Sequence, residues 1–103
     1  MGVIKAVTKD RMQYLLAAMM EEAAEVIHAA AKAHRFGLDH DEPGYGEGTN
    51  KDQITKELGD LLAVARLLDI DSKAVTIAGR RKLLRLRRVE QKFSRQIKEA
   101  NVK

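Results

Sequence analysis

Two short stretches place acidic residues where a helix would put its core. In YLLAAMMEEAAEVIHAAAKAHRFG, Glu22 lies three residues after Met19 and four before Val26. On a helix that spacing puts Glu22 on the apolar stripe itself. Glu25 follows at i+3 as its neighbour. In KELGDLL, Glu57 lies three residues after Ile54 and four before Leu61, and Asp60 follows at i+3. The same arrangement therefore occurs twice. If the two stripes meet, four carboxylates converge. Ionised carboxylates in a partly dry site repel one another and lose hydration, so protonation or a counter-cation must offset them. Oxygen-only ligands on rigid helices suit a hard ion, Mg²⁺ or Mn²⁺, better than zinc. Mg²⁺ keeps several waters and usually also meets a substrate's phosphates. A single i,i+3 acid pair is commonly just a solvated feature. The repetition on two apolar stripes carries the metal reading. Glu21 is rotated by about 100° from Glu22 and is expected to face solvent or a basic residue such as Lys32.

The elements that must position these acids are helices. Leu15, Met19, Val26 and Leu16, Met20, Ile27 recur at three- and four-residue spacing. They predict a first helix from about Thr8 or Lys9 to about Phe36, ended by Gly37. Residues 37–50, GLDHDEPGYGEGTN, hold four glycines and the only proline, and read as a loop. It lacks the Gly-Lys-Ser/Thr ending of a phosphate-cradling loop. Asn50 as N-cap, with Gln53 three residues on, predicts a second helix from Lys51 to about Leu68 or Asp69. Its expected apolar face is Ile54, Leu58, Leu61, Ala65 and Leu68. Ser72 as cap predicts a third helix to about Glu99, with Gly79 as a point of bending or division.

Composition agrees. The chain of 103 residues suits one small domain, residues 1–103, and its hydrophobic fraction of 45% suits a globular one. Aromatic residues make up only 4%, so the core is expected to be aliphatic and helical. A core this small gains from burying further surface in an oligomer. The absence of cysteine excludes disulfides and thiolate metal sites. No membrane span or signal peptide is evident, which makes the cytoplasm the expected location. The formal net charge of +4 is uneven. From Arg80 to Lys98 basic residues crowd the third helix, with Glu90 the single acid.

Glu22-Ala-Ala-Glu25 followed by Glu57-Leu-Gly-Asp60 resembles the E-x-x-E and E-x-x-D signature of the all-α nucleoside triphosphate pyrophosphohydrolases, the MazG-like superfamily. That superfamily also contains dimeric dUTPases, dCTP pyrophosphatases and phosphoribosyl-ATP pyrophosphatases. The flanking text looks like small MazG-like proteins of phages and bacteria, over roughly residues 12 to 68. The resemblance implies an all-α bundle of three main helices, completed as a homodimer or homotetramer. It implies that Glu22, Glu25, Glu57 and Asp60 bind Mg²⁺, and that a nucleoside triphosphate is cleaved between its α- and β-phosphates to a monophosphate and pyrophosphate. Glu22 is the residue expected to position or deprotonate the attacking water. Lys32, Arg35 and Lys82 are candidates to meet the phosphates. One departure is the spacing: 31 residues separate Glu25 from Glu57, more than in many relatives, and the excess is the Gly-rich loop, read as a lid, a base-contacting loop or a tolerated insertion. Tyr45 in that loop is one of few rings on which a base could stack.

Two other readings stay open. A non-catalytic nucleic-acid-binding module would use RRKLLRLRRVEQKFSRQIK to neutralise a backbone. Its apolar residues interleave at helical spacing, however, and no zinc-finger or RNA-recognition motif is present. The third reading is a helical interaction protein without activity. His28, His34 and His40 show no metal-ligand spacing among themselves and are assigned no catalytic role.

Overall fold

The computed structural model describes residues 2–41 and 48–102, and the side chains of 9–41 and 48–101. Helix α1 spans Gly2–Phe36, α2 Asn50–Leu67 and α3 Ser72–Val102, and among the described residues there is no strand, so the fold is all-α. Helix α1 begins earlier than the predicted Thr8 or Lys9. No proline or turn residue intervenes in GVIKAVT, so nothing in the sequence stops the helix there. Its end is as expected. Gly37 has φ +98°, a left-handed conformation that favours glycine, and its N–H donates to the Ala33 carbonyl at 2.7 Å.

The caps of α2 and α3 each fall one residue before the predicted position. Thr49, not Asn50, caps α2: its hydroxyl accepts from the Asp52 N–H at 3.2 Å, and the Asp52 carboxylate accepts from the Thr49 N–H at 3.0 Å. This reciprocal pair is a capping box. It holds the Asp52 carboxyl below its usual range, chiefly through the Thr49 N–H. Asn50 instead turns inward. It is 4% exposed, and its side-chain amide donates to the Gly37 carbonyl at 2.8 Å. Before α3, Asp71 rather than Ser72 accepts the Lys73 N–H, at 2.9 Å. Gly79 does not divide α3, which runs unbroken through it.

The chain divides into two units, Met1–Asp69 and Ile70–Lys103. In the first, α1 and α2 pack together. At one end Arg11 Nη2 donates to the Leu67 carbonyl at 3.3 Å, and at the other Asn50 meets Gly37. The start of α1 therefore lies beside the end of α2, so the pair is antiparallel. Leu15, Ala29 and Ala33 are the buried apolar residues, and Met19, Val26, Ile54, Leu61, Ala65 and Leu68 are half-buried. The predicted face is thus narrower than expected. Leu16, Met20 and Ile27 of α1 and Leu58 of α2 are exposed, because two antiparallel helices can cover only one stripe of each other.

In the second unit, the described side chains of α3 are all exposed, including Val75, Leu86, Val89, Phe93 and Ile97. Basic and apolar residues are thus exposed alike, and the division into an apolar core face and a charged solvated face expected from the sequence is not seen among them. Among the described residues no helix is long and apolar enough to cross a membrane.

Candidate metal centre

The antiparallel hairpin brings the acids of the two stripes together. Carboxylate oxygens of Glu22, Glu57 and Asp60 all lie within 4.8 Å of one another. Glu57 is 5% exposed, whereas Glu22 and Asp60 are half-buried. An acid this buried requires partners. Glu57 Oε1 accepts from Gln53 Nε2 at 2.8 Å and from Lys56 Nζ at 3.4 Å. Lys56 Nζ also donates to Asp60 Oδ2, at 3.2 Å. This ammonium, in turn, is held above its ordinary pKa, first by Asp60 and then by Glu57.

Glu22 shows the electrostatic cost of the arrangement. Its carboxyl is held above the usual glutamate value, first by loss of surrounding water and then by the charges of Asp60 and Glu57, with Lys56 opposing. Desolvation and like charge both disfavour the ionised form, and a cation would relieve both. The donor set is oxygen-only, drawn from two rigid helices, with at least one buried carboxylate. It fits a hard divalent cation such as Mg²⁺ or Mn²⁺.

Glu25, the fourth predicted ligand, is exposed and stands outside this trio. It lines an adjoining hollow of about 220 Å³ together with His28, Ala29, Lys32, Gln53 and Glu57. Lys32 is thus placed beside the acids. Arg35 lies further along α1, with its guanidinium 5.2 Å from the centre of the Phe36 ring. Phe36 also stacks on His40 at 5.5 Å. Lys82 is an exposed residue of α3. Tyr45 lies outside the described residues. The ends of its loop are tied down: the Asn50 and Lys51 N–H groups donate to the His40 and Leu38 carbonyls, each at 2.9 Å.

Three residues at the site were not assigned to it in the sequence, and one of them, Gln53, was expected in a capping box with Asn50 instead. Gln53 stands one turn before Glu57, and that i,i+4 spacing was the signal that could have found it. Lys56 carries the same signal toward Asp60. His28 enters the hollow at i+3 from Glu25.

A family model described as the MazG nucleotide pyrophosphohydrolase domain matches residues 10–98. Neither a curated protein nor a solved structure matches the chain.

Proposed function

The chain belongs to the MazG nucleotide pyrophosphohydrolase family, and on that footing we propose that it hydrolyses nucleoside triphosphates between the α- and β-phosphates in a Mg²⁺-dependent reaction. The products are a nucleoside monophosphate and pyrophosphate. The observation that carries this reading is the meeting of Glu22, Glu57 and Asp60 within 4.8 Å across two helices. Glu22, Glu57 and Asp60 would hold the cation, with Glu25 joining from the adjoining hollow. A divalent cation there supplies positive charge against the phosphates and a more acidic water.

The chain's own residues do the rest. Glu57, fixed by Gln53, gives the site a rigid buried carboxylate. Glu22, half-buried at the edge of the trio, is the carboxylate we assign to position or take a proton from the attacking water. Lys32 lines the hollow beside Glu25, which supports a role for it in meeting phosphate oxygens as charge develops. Arg35 and Lys82 are further candidates for that role. The exposed apolar residues on α1 and α2, among them Leu16, Met20, Ile27 and Leu58, support a homodimer or homotetramer in which they are covered.

The test is pyrophosphate release over a panel of NTPs and dNTPs with Mg²⁺, Mn²⁺ or EDTA. Wild type is compared with Glu22→Gln and Asp60→Asn. Metal-dependent release that both substitutions abolish, with the fold intact, is the expected result. No release from any nucleotide by folded protein with metal present would sink the reading.

A further inference from the structure

Lys56 stands where an incoming cation must act. Its ammonium bridges Glu57 and Asp60, two members of the acidic trio, at 3.4 and 3.2 Å. Glu57 Oε1 accepts from both Gln53 and Lys56, which uses the two lone-pair directions of that oxygen. A cation that ligates through this oxygen competes with Lys56 for it.

The pairing is poorly explained as support for helix α2. A lysine four residues before an acid is the weaker of the two orders on a helix, because it opposes the helix dipole. Lys56 is also far from locked, since its side chain is 64% exposed, against 7% for that of Glu57. A long flexible stem lets the ammonium swing into water at little cost.

From this we infer that Lys56 is a built-in competitor for the metal site, an ammonium that neutralises Glu57 and Asp60 in the metal-free protein and is displaced when a divalent cation binds. It sets the cation affinity lower than the three carboxylates alone would. Once displaced, its charge remains at the mouth of the site. The inference rests on the metal-site reading above.

The experiment is a Mn²⁺ titration of the full chain without nucleotide, following free Mn²⁺ by electron paramagnetic resonance. Wild type is compared with Lys56→Met, Lys56→Arg and Glu57→Gln, and circular dichroism reports the fold of each. Lys56→Met is expected to bind Mn²⁺ about fivefold more tightly, as loss of one exposed ion pair near the upper end of its usual worth would give. Lys56→Arg, which keeps the charge, is expected to stay near wild type. Equal or weaker binding by folded Lys56→Met overturns the inference. If wild type still binds and Glu57→Gln does not, the metal site survives that failure. No Mn²⁺ binding by folded wild type overturns both.

Discussion

The side-chain amide of Gln53 donates to Oε1 of Glu57 at 2.8 Å, one turn along the same helix. That bond fixes the most buried carboxylate of the site. A residue that orients a metal-ligating carboxylate typically changes affinity by 10- to 100-fold when lost. Gln53→Leu is therefore expected to weaken Mn²⁺ binding by about 10-fold. Helix content should stay unchanged. A titration of Mn²⁺ against the variant checks this, and unchanged affinity would show that burial alone holds Glu57 in place.

Glu22 gives the pH dependence of the metal-free protein. Its pKa is raised in the fold above the ordinary 4.5. The folded state thus binds the proton more tightly than the unfolded one, and stability falls as pH rises from 4.5 through the folded value. Above that value the loss is complete and constant. Glu22→Gln, which mimics the protonated form, is expected to be more stable than wild type at neutral pH in EDTA. The two should converge below pH 4.5. Urea denaturation across this range measures it, and a Glu22→Gln protein less stable at pH 7 would contradict the assigned cause.

The Asp52 carboxylate has the opposite sign. Its pKa is lowered by the Thr49 N–H, so its contribution is full above the ordinary 3.8 and disappears as pH falls through the folded value. Asp52→Asn should be less stable than wild type at neutral pH, with the difference closing in acid. Thr49→Ala should cost about 1 kcal/mol at pH 7, only part of which closes in acid, since the hydroxyl both caps the Asp52 N–H and helps to lower the Asp52 pKa. Parallel thermal melts at pH 7 and pH 3 separate the two.

Asn50 ties the end of α1 to the start of α2. Asn50 is 4% exposed, and removing its amide leaves the Gly37 carbonyl with only the longer bond from the His40 N–H, at 3.4 Å. Asn50→Ala is expected to destabilise the chain by about 1 kcal/mol, the net worth of one hydrogen bond. The shift of the denaturation midpoint reports it.

The helices and the acid faces were legible in the sequence because a 3.6-residue period fixes which side chains share a stripe. That logic placed Glu22 and Glu57 correctly and ended α1 at Gly37. It could not choose between adjacent cap residues. Thr49 and Asn50 are both competent caps, as are Asp71 and Ser72, and the choice depends on which backbone is extended. Thr49, with φ −80° and ψ 168°, is. Nor could periodicity say how wide each buried stripe would be, so Leu16 and Leu58 were expected inside and lie exposed. Glu25 shares a helix with Glu22, yet one turn of offset carries it out of the trio and into the neighbouring hollow. The bridging of Lys56 depends on a rotamer, which spacing alone does not determine.

The acids themselves set the final expectation. Glu22, Glu57 and Asp60 are held close at an electrostatic cost visible in the raised proton affinity of Glu22. A cation that binds the fold but not the unfolded chain converts that cost into stability by mass action. Mn²⁺ at 100 times its dissociation constant should stabilise the protein by about 2.7 kcal/mol. The gain should be reversed by EDTA and absent in Glu57→Gln, which loses the buried ligand. Thermal melts at several Mn²⁺ concentrations measure it, and they need no knowledge of the substrate. A melting temperature indifferent to Mn²⁺ in folded wild type would mean that protons and Lys56, rather than a metal ion, balance these carboxylates.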